Sequence, residues 1–289
     1  MVSVSVVVAT LQSYDELDVV DYLERGTYDD YEVVVRDDYP VCKARNEGIR
    51  QARADKIVFL DDDSLPREDY LERAVETLEQ EPAYSGRTVH PRSDIFARHF
   101  TAHYNRGDEP RYVDTFWGNN MGVRREVFEA VGGWDENMGW GHEEKELAAR
   151  VRTQFDIRYD PDLVVTHSYA DSVPGYWRKM YNLETQHPYY WRKVGYSMRE
   201  VVSMTVFGAL NPKYYVVRGS GDRWSRPGPS LPGLQAASGA SSTCWGRTHP
   251  SWTPGCLPSS VEPPARIRRR PQNRGPSTGQ FSLYQTSTW

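Results

Sequence analysis

The first eighty residues alternate short apolar runs with helical patterns, and this alternation restricts the fold more than any other feature of the chain. Three runs rich in β-branched residues are predicted to be buried strands: 2–10, 31–36 and 56–60. Three segments that carry apolar side chains at helical spacing are predicted helices: 14–24, 41–54 and 67–79. Strands and helices that alternate at this pitch predict an α/β fold with a mostly parallel central sheet and flanking helices.

Three aspartates, Asp61, Asp62 and Asp63, directly follow the third predicted strand. Alternate side chains of extended backbone share a face, so Asp61 and Asp63 are predicted to point one way and Asp62 the other. Two carboxylates on one face repel each other unless a cation lies between them, and Mg²⁺ is often bound by one or two carboxylates together with substrate phosphates. The alternative is an acidic turn that caps the next helix, with Asp63 or Ser64 as the N-cap.

Polar residues also follow the other two predicted strands of this region. Thr10 ends the first strand, and Asp37 and Asp38 come directly after the second. Ligands of open α/β sheets bind outside the carboxyl ends of the strands. Three strand ends that offer polar groups therefore predict a single binding crevice.

A second acidic site is predicted at Glu143 and Glu144, which begin a helical segment after the Gly- and Trp-rich residues 134–142. The free N–H groups and the dipole of a helix N-terminus favour the ionised carboxylate, which can accept a proton from an attacking hydroxyl. The alternative is that Glu143 and Glu144 are ordinary acidic residues at the start of a helix, without a role in catalysis. His167 follows a short predicted strand, where it is either a third metal ligand or a structural residue.

The middle of the chain is less regular. Further predicted strands are 83–89, 115–123, 155–159 and 163–166, and further predicted helices are 93–104, 125–131 and 143–153. Residues 173–210 are predicted to be helical, with Tyr and Trp interleaved with Arg and Lys. That mixture is typical of an interfacial surface and predicts peripheral membrane contact, whereas no apolar run reaches the length of a spanning helix.

Charge and composition divide the chain near residue 219. The net charge is −5, and residues 219–289 are rich in Pro, Gly, Ser and Arg, which predicts a disordered tail or an out-of-frame end. The remaining body is acidic, which argues against a nucleic-acid partner. The three cysteines fit no zinc spacing and no signal peptide is visible, so we expect a cytoplasmic protein that can lie on the cytoplasmic face of the membrane.

Taken together, these segments resemble the family 2 glycosyltransferases of GT-A fold over roughly residues 3–170. Three pairs of stretches carry the resemblance: ARNEGI at 44–49 with FLDDDSLP at 59–66, NMGVRR at 120–125 with VGGWDE at 131–136, and WGHEE at 140–144 with Leu147 and Arg150. The resemblance implies a catalytic domain at 1–170, followed by a helical extension at 171–218 and the tail at 219–289. The acidic body is also similar to haloarchaeal members that act on lipid-linked glycans.

The resemblance also implies roles for individual residues. Nucleotide-sugar binding falls to Thr10, Asp37, Arg45, Asp61 and Asp62. The DXD-type metal site, for Mn²⁺ or Mg²⁺, falls to Asp63, Asp61 and His167. Glu144 stands where the family has its catalytic Asp, with Glu143 before it, and the acceptor-side residues are Trp117, Asn120 and Trp140.

The expected activity is therefore inverting transfer of a sugar from a nucleoside-diphosphate donor, expected to be UDP-linked, to a hydroxyl of a glycan or lipid-linked acceptor. Two alternatives remain open. A sugar nucleotidyltransferase uses a related fold, but residues 10–13 carry neither the Gly nor the Lys expected of a triphosphate loop. A nucleotide-sugar-binding module without turnover is the second alternative.

Overall fold

The computed structural model describes residues 2–208, and the predictions for the tail at 219–289 lie outside this part of the chain. The strands are β1 Val4–Ala9, β2 Tyr31–Arg36, β3 Lys56–Leu60, β4 Leu65–Pro66, β5 Ala83–Val89, β6 Arg111–Val113, β7 Asn120–Arg124 and β8 Ile157–Thr166. The helices are α1 Asp18–Glu24, α2 Val41–Gln51, α3 Tyr70–Gln80, α4 Ile95–Thr101, α5 Arg125–Val131, α6 Glu143–Val151, α7 Val173–Glu184, α8 His187–Lys193 and α9 Met198–Gly208.

These strands form one mixed sheet, and the predicted α/β class is confirmed. The order is β2-β1-β3-β7-β5-β8-β4, with β6 paired to β8. β1 pairs in parallel with both β2 and β3, and β5 pairs in parallel with β8. β7 runs antiparallel between β3 and β5 and so joins the two parallel parts. The carboxyl ends of β1, β2 and β3 consequently lie side by side, as the sequence predicted.

Both faces of the sheet are covered, which explains the continuous apolar runs of the central strands. Val6 and Val8 of β1 belong to the core cluster that includes residues of α1 and α3. Val7, on the opposite face, belongs to the cluster that includes residues of α2, α5 and α6. A Cβ added at Gly48 of α2 would lie 2.3 Å from Val7 Cγ1, so only glycine lets this helix approach the sheet so closely.

Two strand predictions needed correction. The strand predicted at 115–123 begins only at Asn120, because the chain turns there and the Asn120 amide bonds the Trp117 carbonyl at 3.0 Å. The strands predicted at 155–159 and 163–166 are one continuous β8. Its pairing with β5 shifts register between Gly86 and Arg87, and this irregularity absorbs the residues around Pro161.

The capping interpretation of the acidic triplet is wrong. α3 begins at Tyr70 with Asp69 as its N-cap, so neither Asp63 nor Ser64 caps it. The Ser64 hydroxyl instead accepts from the Asp61 amide at 3.2 Å and donates to the Asn119 carbonyl at 3.3 Å. Ser64 thus fixes the turn that carries the aspartates.

Residues 173–208 of the predicted helical segment 173–210 form three helices, and residues 209–210 lie outside the described part of the chain. The Ser172 hydroxyl caps α7, and Gly195, with a φ of +103°, lies in the turn between α8 and α9. Within residues 2–208, the helices are all too short or too polar to cross a membrane.

Candidate active site

The side chains of the acidic triplet divide as predicted, although a turn closed by the Ser64 amide and the Asp61 carbonyl, rather than extended backbone, carries them. Asp62 turns toward β1, where its Oδ2 accepts from the Thr10 hydroxyl at 2.5 Å and from the Gln12 amide at 3.0 Å. Asp61 and Asp63 turn the other way, toward His167 at the end of β8. The His167 Nε2 lies 3.1 Å from Asp63 Oδ1 and 3.7 Å from Asp61 Oδ2. The structure therefore brings His167 to two aspartates that precede it by about a hundred residues in the sequence.

The chemistry of this cluster fits a divalent cation. One ligand atom from each of Asp61, Asp63 and His167 lies within 4.8 Å of the other two. The two carboxylates remain 39% and 48% exposed, so a ligand can reach them, while His167 is buried. Burial and the neighbouring carboxylates raise the pKa of Asp61, despite the opposing charges of His167 and Arg45. A bound cation would relieve this repulsion.

The two carboxylates also act on His167. Burial lowers the pKa of His167, but Asp63 and Asp61 outweigh burial and the net pKa is raised. Burial likewise raises the pKa of Asp63, whereas His167 lowers it by charge and by a hydrogen bond, and the net pKa is lowered. The Asp63 carboxylate is therefore ionised and ready to act as a ligand near neutral pH.

Arg45 of α2 joins this cluster to the second acidic site. Its guanidinium is buried and lies 2.8 Å from Glu143 Oε1, 3.9 Å from Asp61 Oδ1 and 4.5 Å from the centre of the Trp134 ring. The other Glu143 oxygen accepts from the Gly141 amide at 2.6 Å. Both carboxylate oxygens of Glu143 are therefore occupied by internal partners.

Glu144, one residue further along α6, is in a different environment. Its side chain keeps partial exposure, and no ion pair holds its carboxylate among residues 2–208. Burial and the adjacent Glu143 charge raise the pKa of Glu144 to about 8. The pKa of Tyr104 is raised by burial and then by the charges of Tyr169, Glu144 and Asp61. This ring is therefore within electrostatic reach of both acidic sites. The two acidic sites are therefore neighbours, and Arg45 is the side chain that contacts both of them.

The start of α6 is held in place by α7 and α8. Gly141 has a φ of +118°, and a Cβ added there would lie 2.9 Å from Leu183 Cα. His142, the N-cap of α6, has a left-handed φ of 62° and stacks on His187 with 3.6 Å between ring centroids. The Gly139 amide also donates to the Gln186 side chain at 3.2 Å. The helices α7 and α8 of the predicted extension therefore position the loop that leads into Glu144 of α6.

The remaining predicted site residues differ in their exposure to solvent. Asp37 is exposed at the end of β2, and Trp140 is 36% exposed in the loop before α6. Trp117 is buried, with its ring 4.8 Å from that of Tyr104. Asn120 is fully buried and corrects the acceptor-side prediction: it accepts from the Tyr70 hydroxyl and donates to two backbone carbonyls, so its amide is not available to an acceptor.

Sequence patterns gave no indication of two tyrosines whose pKa values the acidic sites raise. Tyr104 and Tyr169 lie 5.7 Å apart by ring centroid, although they are far apart in sequence. Neither belongs to a motif, and aromatic residues are more often core than site. Tyr104 lies in the segment after β5 and Tyr169 in the segment after β8, and the pairing of these two strands brings the segments together.

The fold and the site together define an α/β protein whose strand ends hold an acidic, metal-type cleft. Residues 41–132 match the family model of Glycosyl transferase family 2. The matched segment contains Arg45 and the whole aspartate triplet, and the resemblance to family 2 glycosyltransferases is thereby confirmed. Glu144 and His167 lie beyond the matched residues.

A curated relative is similar to part of the chain. It is the glucosyl-dolichyl phosphate glucuronosyltransferase of Haloferax volcanii, 28% identical over 111 residues, which cover 34% of this chain and 36% of the relative. The chain thus matches about a third of the length of that relative.

Three solved structures are similar to part of the chain. GalNAc-T7 with UDP, GalNAc and Mn²⁺ has a TM-score of 0.46 at 13% identity, over 58% of this chain and 44% of that one. TarS of S. aureus has a TM-score of 0.47 at 14% identity, over 64% and 39%. The mannosyltransferase PcManGT of Pyrobaculum calidifontis, in complex with GDP-Man and Mn²⁺, has a TM-score of 0.46 at 16% identity, over 73% and 80%.

Proposed function

We propose that the protein is an inverting, metal-dependent glycosyltransferase that moves a sugar from a nucleoside-diphosphate donor, UDP-linked in our proposal, to a hydroxyl. The observation that carries this proposal is the proximity of the two acidic sites. Arg45 lies 3.9 Å from Asp61 of the metal-type cluster and 2.8 Å from Glu143, the residue before Glu144. Transfer of this kind needs a cation beside the leaving diphosphate and a base beside the acceptor, and the cleft offers residues for both.

Asp63, Asp61 and His167 would hold the cation. Mg²⁺ prefers oxygen ligands alone, whereas this set adds an imidazole nitrogen, so we favour Mn²⁺. When bound, the ion supplies Lewis-acid and electrostatic stabilisation of the charge that grows on the leaving diphosphate. Thr10, Asp37 and Asp62, at the ends of adjacent parallel strands, are assigned to the nucleoside part of the donor.

Glu144 is the proposed base. Its carboxylate takes the proton of the acceptor hydroxyl, the acceptor oxygen bonds to the anomeric carbon, and the bond from that carbon to the diphosphate breaks with its electron pair. Attack opposite to the leaving group inverts the configuration. Glu143 cannot take this role because its two carboxylate oxygens already accept hydrogen bonds from Arg45 and from the Gly141 amide. Its negative charge instead raises the pKa of Glu144 after the larger effect of burial, which strengthens the base.

The test is a screen of nucleotide-sugar donors with Mn²⁺ or Mg²⁺, read by released nucleoside diphosphate. Asp63→Ala is expected to abolish both turnover and metal-dependent nucleotide binding, whereas Glu144→Gln is expected to abolish turnover alone. Asp162→Asn, at an exposed carboxylate on β8, is the matched control and should leave both unchanged. Full turnover in either site variant would contradict the assignment. Binding without turnover in the wild type would favour the non-catalytic alternative.

We further propose a lipid-linked glycan as the acceptor and peripheral membrane contact through α7–α9. The name of the Haloferax relative includes glucosyl-dolichyl phosphate, a lipid-linked sugar, and this supports an acceptor of the same class. Exposed apolar side chains on α9, among them Val202, Val206 and Phe207, support the membrane contact.

A further inference from the structure

A buried hydrogen-bond network joins the two chain segments that leave the sheet beside the metal-type cluster. One segment begins at His90, directly after β5, and the other begins at His167, directly after β8. The His90 side chain is 1% exposed, and its Nε2 lies 3.3 Å from the Ala170 carbonyl oxygen and 3.2 Å from the Ser168 hydroxyl. His90 therefore contacts residues that closely follow the proposed ligand His167.

The partners of His90 define which ring nitrogen carries the proton. The Arg92 amide donates to Nδ1 at 3.0 Å, and burial lowers the pKa of His90, so the ring is neutral with its proton on Nε2. The Ser168 hydroxyl donates to Asp171 Oδ1 at 2.5 Å, which leaves its oxygen as an acceptor. The Nε2–H of His90 consequently donates across to the second segment. The Arg92 guanidinium adds a bond to the Asp171 carbonyl at 2.9 Å.

The His167 ring depends on its backbone for its position. A metal-binding imidazole usually donates its second nitrogen to a carboxylate or a carbonyl, and this hydrogen bond orients the ring. Nδ1 of His167 is buried and has no hydrogen-bond partner within residues 2–208, while Nε2 lies 3.1 Å from Asp63 Oδ1. The His167 amide donates to the Val89 carbonyl at 2.9 Å, which holds the backbone at the ring. The backbone that follows the ring is held by the hydrogen bonds from His90.

We propose that His90 is a positioning residue for the metal-type site and holds the segment after β8 so that the His167 ring stays against Asp61 and Asp63. Without the bonds from His90, this segment is able to shift, and the His167 ring turns away from the aspartates. The inference rests on the proposed function, because it assumes that these three side chains hold a cation. His90 belongs to none of the motifs that carry the family resemblance.

The experiment compares two isosteric variants of His90 in the full-length protein. In His90→Gln, the side-chain amide nitrogen replaces Nε2 and still donates to the Ala170 carbonyl. In His90→Asn, the shorter amide replaces Nδ1 alone, so the bond from the Arg92 amide persists and the bonds to the second segment are lost. Thr77→Val is the matched control, because it removes a buried hydrogen bond of 3.0 Å to Asp160, in the first half of β8.

Electron paramagnetic resonance measures Mn²⁺ binding by each variant, with and without UDP, and spin-echo modulation detects an imidazole nitrogen bound to the ion. The wild type should bind Mn²⁺ with a nitrogen coupling that His167→Ala lacks. His90→Asn should bind Mn²⁺ about tenfold or more weakly and lose the coupling, which is the scale of loss typical when a residue that orients a metal ligand is removed. His90→Gln should recover most of the affinity and the coupling, and Thr77→Val should match the wild type.

Three results would overturn this assignment. Wild-type affinity with the nitrogen coupling intact in His90→Asn would do so. An equal loss in His90→Gln would also do so, because the bonds to the second segment would then not be responsible. A loss of the same size in Thr77→Val would show that any destabilisation of β8 weakens the site. If the wild type binds no Mn²⁺, or binds it without the nitrogen coupling, the proposed metal site itself fails, and this inference fails with it.

Discussion

At the scale of single residues, Glu143 and Glu144 illustrate how neighbouring side chains of one type acquire different chemistry. Glu143 is buried between the Arg45 guanidinium and the Gly141 amide, so its carboxylate is fixed and its charge compensated. Glu144 has no such partner among the described residues, and burial beside Glu143 raises its pKa to about 8. The sequence located the pair at a helix start, but only the position of Arg45 decides which of the two can exchange a proton.

The raised pKa of Glu144 predicts the pH dependence of transfer. A carboxyl with a pKa of about 8 is protonated below that pH and cannot accept the acceptor proton, so kcat/KM should rise with pH and level off above about pH 8. Below the midpoint the rate should fall about tenfold per pH unit. The measurement is a rate profile at saturating metal. A midpoint near the ordinary value for Glu, or an unchanged profile in a slow Glu144→Gln variant, would contradict this role.

At the scale of secondary structure, the elements that were predicted correctly from the sequence are those whose ends are set by local periodicity. β2 and β5 coincide with their predicted ranges, as does α5, because β-branched runs and glycine stops mark their ends. The continuity of β8 was missed because it depends on a register shift in its partner strand. The packing of α7 and α8 against the start of α6 was also missed. Contacts such as His142 on His187 join distant segments and leave no periodic signal.

The contact between Gly141 and α7 predicts a long-range effect on catalysis. Gly141→Ala strains a φ of +118° and pushes a methyl group against the Leu183 backbone, which displaces α7 from the loop that carries Glu144. Gly195→Ala is the matched control, because its φ is +103° but no atom lies within 4 Å of the added Cβ. Both variants should lose about 1 kcal/mol or more of unfolding free energy from backbone strain.

Only Gly141→Ala should also lower kcat, by about tenfold or more for a small misplacement of the base, while diphosphate binding persists. Urea unfolding and steady-state kinetics measure the two effects. Equal kcat values in the two alanine variants would show that α7 does not position Glu144.

At the scale of the whole molecule, α7–α9 form a layer with two different sides. On the inner side, the Lys179 ammonium of α7 lies over the Tyr169 ring, which is buried. Large side chains that remain exposed on these helices are Trp177, Tyr181, Tyr189, Met198, Val202, Val206 and Phe207. Met198, Val202 and Val206 recur every four residues and so form one stripe along α9. A bilayer against this outer side would suit the lipid-linked acceptor that we propose.

This arrangement predicts that the stripe on α9 binds anionic membranes. The full-length protein should float with vesicles that contain anionic lipid, because apolar side chains enter the interface while Arg178 and Arg199, both exposed, attract the headgroups. Replacing Val202, Val206 and Phe207 together by Ser should abolish flotation and leave nucleotide binding intact, because these exposed side chains lie outside the core clusters. Tyr112→Ser, which removes an exposed ring from the edge strand β6, is the control and should float normally. Flotation of the triple variant at the wild-type level would exclude α9 as the contact, and failure of the wild type to float would exclude membrane contact of this kind altogether.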